Sequence, residues 1–420
     1  MKEAAYENMK EEIFMEKTVG NAVKGGSFLV DEITIDQVFT PEDFSSEHKM
    51  IAKTTEDFIV NEVLPELEYL EQHEFDRSVR LLKEAGELGL LGADVPEEYG
   101  GIGLDKVSSA LIAEKFSRAG GFAITHGAHV GIGSLPIVLF GNEEQKKKYL
   151  PKCVSGEITT AIAMSEPGIG SDLAKLSTTA IRDGDHYIVN GEKTFISNGL
   201  NAGLFFVAVK TDLKANPARK GISILLVDED TPGFSRGKKL KKLGQHSADT
   251  VELIFEDARV PVANLLGDEG KGFYYMMEKL QQERLIVSIG AVAVAEEMLK
   301  STMSYVKERQ AFGKTISSFQ NTQFEIAEMA TELSMAQTFI DDLTSRQLKG
   351  ENIVTETSMA KWFITEMART MSVRCLQLYG GYGYMEEYPI ARRYRDVAVM
   401  PVYAGTTEIM KNIIAKNLGL

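Results

Sequence analysis

The chain is poor in cysteine, with two residues, Cys153 and Cys375, among 420. Two thiols make neither a disulfide framework nor a zinc cluster, and their regularly patterned surroundings predict buried, reduced side chains. Positive charge is also scarce. With 46 Lys and Arg against 61 Asp and Glu, the formal net charge is -15, so the surface on average repels a phosphate backbone. That excludes a general nucleic-acid binder but leaves room for a local basic site holding a small anion. No apolar run is expected to be long enough to span a bilayer. The first residues, MKEAAYENMKEEIFMEK, are acidic where a targeting peptide would be Arg-rich or carry an apolar centre. A phosphate loop of the form GxxxxGK(S/T) and an HExxH zinc signature are both absent, and the six histidines are scattered. The glycine clusters Gly100 to Gly103 and Gly380 to Gly383 do not stand between a strand and the helix that follows it. A Rossmann-type dinucleotide fold is therefore not expected.

What is present is helical at both ends. A hydrophobic share of 44% over 420 residues suffices for two or three domains with their own cores. Residues 1–40 have weak patterning and read as an N-terminal extension. From Ser45, Ile51, Phe58, Ile59, Val63, Leu67 and Leu70 form a helical stripe, which Pro65 can kink. Further helices are expected over 77–90, 106–119 and 143–153. Near Thr159 the period changes. TTAIAM, HYIVN, GLFFVAVK, GISILLV and VELIFE are short, apolar and separated by turn signals such as Asn190-Gly191, which predicts five strands. The basic piece Arg236 to Leu243 has no interleaved aromatics and reads as a solvated loop or strand. After Pro261 helices return over 273–307, 319–348, 351–378 and 407–416, the lengths of a bundle. The expected fold is mainly α with a central β domain: an N-terminal helical domain (41–158), a barrel-like middle β domain (159–268) and a C-terminal four-helix bundle (269–420).

The chemistry sits in a few polar patches. The long helix from Gly272 carries Glu283 and Arg284 inside an apolar face; taken alone, the pair reads as a solvated edge or a satisfied ion pair. Gly290, halfway along, permits close packing or marks a kink. MSEPGIGSD, Met164 to Asp172, combines the Ser165 and Ser171 hydroxyls with glycines that let backbone N–H groups approach a flat or anionic ligand. GEKTFISNG places Phe195 beside Ser197 and Asn198. Arg309 and Gln320 flank a Phe312-Gly313 turn, and a guanidinium there suits a pyrophosphate. In VYAGTTEIM, an extended lead bends at Gly405 into a helix start at Thr406-Thr407, whose N–H groups can receive a ligand oxygen.

Together with RQAFGK and QLYGGYGY followed by EYPIARRYRD, these patches resemble the acyl-CoA dehydrogenase family from Ser45 to the C-terminus. The family comprises flavoenzymes that introduce a trans double bond between Cα and Cβ of an acyl-CoA. The resemblance implies an FAD cofactor contacted by Met164 and Ser165, covered by Phe195 and approached at N5 by Ser197. Arg309, Phe312 and Gln320 match positions that hold the pyrophosphate and adenosine, partly across a subunit interface of a dimer or homotetramer. Gln377, Gly381, Thr406 and Glu408 match further cofactor contacts, whereas Ser171 and Arg284 match positions near CoA. Most members carry a glutamate where Ala404 stands, and alanine cannot take a proton. A smaller branch, with long-chain and isovaleryl types, places its glutamate in an ERL context on the bundle helix, and Glu283 stands there.

By this resemblance Glu283 takes the α proton, the Ala404 N–H steadies the thioester oxygen, and electrons leave to an electron-transfer flavoprotein. Such a base must be partly desolvated, because a thioester carbon acid does not yield its proton to a solvated carboxylate. The surroundings of Glu283 look most like the long-chain type, while residues 125–141 are similar to the very-long-chain type. The expected substrate is a medium- to long-chain acyl-CoA. The alternatives are a branched-chain dehydrogenase, a flavin oxidase, or a scaffold that binds flavin and acyl-CoA without chemistry. No metal site is expected; a cytoplasmic setting fits a prokaryote, and the mitochondrial matrix a eukaryote.

Overall fold

Residues 44–420 are described by a computed structural model of the protein, and the expected extension over residues 1–40 lies outside them. Helix α1 (Ser46–Phe58) starts on a capping box in which the Ser45 hydroxyl accepts from the His48 N–H and the His48 ring accepts from the Ser45 N–H. It passes through a π turn, Ile59–Val63, into α2 (Leu64–Glu71). Pro65 falls in the first turn of α2, where its missing N–H costs little, and the wide turn before it absorbs the break in the ladder. Then come α3 (Asp76–Glu87) and α4 (Lys106–Phe116). Next, α5 (Phe122–His129), a second π turn (Val130–Ser134) and α6 (Leu135–Phe140) run on, before α7 (Glu143–Val154).

The stretch Phe122–Phe140 corrects the expectation about apolar runs. Its 19 residues, with mean hydropathy 1.4, are long and apolar enough by length and composition to cross a membrane, and 56% of that window is buried inside the protein. Glycines and His, Thr and Ser residues inside the run obscure its helical character in the sequence.

Among the described residues seven strands form one sheet rather than the five expected: β1 (Thr160–Ala163), β2 (Thr179–Asp183), β3 (His186–Ser197), β4 (Leu204–Lys210), β5 (Ile222–Asp228), β6 (Phe234–Lys239) and β7 (Thr250–Pro261). The order is β1-β4-β2-β3-β7-β6, with β5 also paired to β4. Of the two strands beyond those five, β2 was not foreseen and β6 overlaps the basic piece read as a solvated loop or strand; each is partly exposed, and neither carries an apolar alternation. Strand β4 is apolar and buried from Leu204 to Val209, up to the terminal Lys210, because both faces are covered. Phe205, Val207 and Val209 enter the sheet's own core, while Leu204, Phe206 and Ala208 pack with Tyr149, Leu150 and Met276. The basic stretch is only partly solvated: Arg236 bonds the Gly199 and Ala202 carbonyls and Glu229, and the Lys242 ammonium donates to the Ala248 carbonyl at 2.7 Å.

The bundle consists of α8 (Gly272–Glu308), α9 (Gln320–Leu348), α10 (Val354–Tyr379) and α12 (Thr407–Asn417), with a short α11 (Pro389–Val397) before the last. Its core gathers Ile289, Val292, Met298, Met329, Ile340, Ile364 and Met371. Helix α8 is continuous through Gly290, where a Cβ would lie 2.8 Å from the Ser117 hydroxyl, so the glycine serves close packing rather than a kink. Both cysteines are free and buried. The lead into α12 is a turn rather than an extended segment, closed by the Tyr403 N–H to the Val399 carbonyl at 3.2 Å.

Candidate active site

A cavity of about 280 Å³ opens where α5, the sheet, α8 and the segment after α11 meet. Met164, Ser165, Phe195, Ser197, Glu283 and Ala404 all border it, although the sequence spreads them from position 164 to position 404. The sheet side is shaped by a bulge. Between Lys193 and Ile196 the β3–β7 register shifts, and Phe195 adopts a left-handed φ of 61°. That conformation is strained for a residue with a Cβ, and it leaves the Phe195 ring 70% exposed instead of packed. Just beyond it, Asn198 donates from its amide to the carbonyls of Thr125 and Thr160, which ties the sheet to α5.

Beneath this edge lies an ion pair that sequence reasoning did not single out. Lys193 Nζ sits 2.8 Å from Glu166, and the two side chains are 0% and 2% exposed. Burial works against the Glu166 carboxylate, but Lys193, the Ser177 N–H and hydroxyl, and the Thr178 N–H overcome it and hold the group ionised. Ser165 is thereby fixed at the cavity, since its carbonyl also accepts the Thr194 N–H at 2.9 Å. Glu166 lies inside the MSEPG motif, so its signal was a charge directly after the apolar strand β1.

Glu283 borders two cavities at once: the large one, and a smaller one of about 50 Å³ lined by Asp94, Ser109, His126, Gly131, Ser134 and apolar neighbours. The residue is half-buried, and its Oε1 is buried. Burial pushes its carboxyl above the ordinary glutamate range, while Lys279, one turn earlier on α8, opposes that shift. Among the described residues its Oε1 has no hydrogen-bond partner. The room for the carboxylate comes from the π turn after α5, because a Cβ on Gly131 would lie 2.9 Å and 3.2 Å from its two oxygens. His126 stacks on Phe116 at 3.6 Å and is pushed down to about 3 by burial, so it stays neutral there.

Ala404 has a left-handed φ of 53° and is followed by Gly405 at 97°. Two buried cations hold this turn. Arg284 Nε approaches the Ala404 carbonyl at 3.4 Å and Lys361 Nζ donates to the Gly405 carbonyl at 2.6 Å. Arg284 is 6% exposed and stands behind the turn, outside the lining. Thr406 caps α12, accepting from the Ile409 N–H, and Glu408 follows on the exposed side of its first turn.

The remaining predicted residues lie away from the cavity. Arg309 packs its guanidinium 5.1 Å from the Tyr382 ring, next to a hairpin of β8 (Gln310–Ala311) and β9 (Lys314–Thr315). Its turn is Phe312 and Gly313, both with positive φ, and Phe312 is 96% exposed. Gln320, Gln377, Gly381 and, on the sheet domain, Ser171 are exposed as well.

Sequence profiles described as the acyl-CoA dehydrogenase N-terminal, middle and C-terminal domains match residues 45–157, 161–258 and 270–419. A solved acyl-CoA dehydrogenase from Geobacillus kaustophilus superposes with a TM-score of 0.88 at 52% identity, covering 91% of this chain and 100% of that one. The chain belongs to the acyl-CoA dehydrogenase family. A Bacillus anthracis acyl-CoA dehydrogenase complexed with FAD gives the same TM-score at 53% identity, over 94% of this chain and 71% of that one. The mitochondrial long-chain specific acyl-CoA dehydrogenase of Sus scrofa is 41% identical over 376 residues, 89% of this chain and 87% of its own. Isovaleryl-CoA, butyryl-CoA and glutaryl-CoA dehydrogenases also match, so the family is shown without a chain-length class.

As an acyl-CoA dehydrogenase the protein is an FAD-linked oxidoreductase, and its residues fit that cofactor. Phe195 offers an unpacked aromatic face at the cavity, and Gln245 Oε1, Arg393 Nε and Asp396 Oδ2 are buried polar atoms of lining residues that lack partners among the described residues. Gln245 and Lys279 escaped sequence reasoning, whereas Arg393 and Asp396 stood in the EYPIARRYRD motif without a role and Gly131 in the 125–141 stretch as a small residue only. Only Lys279 left a readable trace, the four-residue spacing to Glu283 on one helix face.

Proposed function

We propose that the protein oxidises medium- to long-chain acyl-CoA to trans-2-enoyl-CoA with Glu283 as the base. The observation that carries this is the placement of the Glu283 carboxylate. It is enclosed, lacks a hydrogen bond at Oε1, and borders the same cavity as Phe195, Ser197 and the small side chain of Ala404. A desolvated carboxylate of raised proton affinity suits removal of a proton α to a thioester. Ala404, in its left-handed turn, leaves space for Glu283 and directs its N–H to the thioester oxygen as negative charge develops there. FAD, when bound, supplies the hydride acceptor. Met164, Ser165, Phe195 and Ser197 orient it, while Arg309, Phe312, Gln320, Gln377, Gly381, Thr406 and Glu408 hold its remainder with help from a second subunit. The exposure of Phe312 supports that last assignment. Ser171 and Arg284 serve the CoA end, and an electron-transfer flavoprotein takes the electrons. The domains are taken as 41–158, 159–268 and 269–420.

Anaerobic mixing of the holoenzyme with palmitoyl-CoA, beside Glu283→Gln with FAD content verified, tests this. Flavin bleaching in the parent and its loss in the variant are expected. Bleaching of the variant at the parent's rate removes Glu283 as the base. A panel of short, long and branched thioesters then decides the substrate class, and bleaching by isovaleryl-CoA alone would overturn the long-chain assignment.

A further inference from the structure

Lys279 is buried, 7% exposed, on the apolar side of α8, and its ammonium makes no hydrogen bond among the described residues. A lysine so placed calls for an anion. The charges whose fields reach it are Glu283, one turn along the same helix, Glu278 beside it, and Asp94 and Lys106 from the helical segments before the sheet. Glu278 is exposed. Asp94 and Lys106 are bonded to one another and cancel. Glu283, whose Oε1 also lacks a partner, is left to balance Lys279. Residues four apart on a helix face one another with Cβ atoms roughly 5–6 Å apart. The other titratable groups around Glu283 are His126 on α5, neutral in its buried stack, and across the large cavity Arg393, Asp396 and Tyr403.

We infer that Lys279 is the positioning residue of the base: its ammonium keeps the enclosed Glu283 carboxylate ionised between turnovers and drives off the proton that Glu283 has taken. This rests on the reading of Glu283 as the base. The balance of the step is simple. The proton leaves the substrate Cα with the C–H electron pair remaining on the substrate, Glu283 becomes a neutral acid, and Lys279 is then a buried cation without its anion. Release of the proton from Glu283 to water restores the neutral pair. Burial lowers the Lys279 pKa as it raises that of Glu283, as expected of two enclosed groups that titrate together.

Removing the cation removes stabilisation of the ionised carboxylate, so Glu283 holds its proton to higher pH. An opposite charge at this range is worth roughly one pH unit or more. In Lys279→Met holoenzyme the acidic limb of the flavin-reduction rate is expected to move up by about one unit, a tenfold loss on that limb, with the alkaline plateau approached later. Lys279→Arg, which retains the charge, is expected to keep the limb in place. An infrared titration without substrate reads the group directly, through the protonated-carboxyl band that disappears in Glu283→Gln. That band is expected to persist to higher pH in Lys279→Met. A limb and a band that both stay at the parent's pH in Lys279→Met would overturn the inference while leaving Glu283 as the base. Bleaching of Glu283→Gln at the parent's rate would instead overturn the reading on which the inference rests.

Discussion

Gly131→Ala places a methyl group against the carboxylate of Glu283 and so tests the geometry of the base without altering its chemistry. The new Cβ would stand 2.9 Å from one oxygen, and ordinary contact begins at 3.4 Å, so the carboxylate must retreat by the difference, 0.5 Å. It is the flexible end of a side chain, so it moves before the helix does. Misplacement of a reacting group by about 1 Å costs on the order of a hundredfold in rate, so half that distance costs roughly tenfold, about 1.4 kcal/mol. Stability should move little or in the opposite direction, because alanine is favoured over glycine in helical backbone by roughly 0.5–1 kcal/mol. The assay is anaerobic stopped-flow bleaching of the flavin with palmitoyl-CoA, beside thermal unfolding and FAD content. The reasoning predicts a variant that is folded and fully loaded yet slow. A loaded variant that bleaches at the parent's rate would refute it.

Two further outcomes are expected. Lys193→Met strips the buried Glu166 of its cation, and loss of one partner from an enclosed pair costs about 3–5 kcal/mol; urea unfolding should shift by that much and FAD retention should fall, whereas a shift below about 1 kcal/mol would show the pair to be dispensable. Phe312→Ala removes a ring that is 96% exposed, so chemical unfolding of the monomeric chain should change by less than about 0.5 kcal/mol. FAD affinity and sedimented mass should nevertheless fall if a second subunit uses that ring, and unchanged values of both would remove it from the interface.

Much of the helical architecture was legible in the residues. The stripes from Ile51 to Leu70 and from Phe273 to Met298 have the period of a half-buried helix, and each produced the helix it implies. The register-bearing strands β3, β4, β5 and β7 were equally plain, because apolar runs between turn residues have few other solutions. Where patterning failed, a polar or glycine-rich segment was held by its neighbours. Strand β2 pairs along β3 with little apolar surface of its own, and Phe122–Phe140 is helical despite three glycines, with a wide turn where Gly131 and Gly133 meet Glu283 and Thr160.

The site divides in the same way. Local order determined the motifs themselves: the Phe312-Gly313 hairpin turn, the Thr406 cap, the alanine where the resemblance leads one to look for glutamate, and a carboxylate on the apolar side of α8. Each depends on residues within a few positions of one another. Tertiary structure alone decided that Glu283 is enclosed, that Arg284 turns behind Ala404 while its neighbour faces the cavity, and that Gly131 and Lys279 shape and charge the space around the base. Desolvation and Coulomb interaction depend on what surrounds a group in three dimensions, and the atoms that surround Glu283 come from chain segments more than a hundred residues apart.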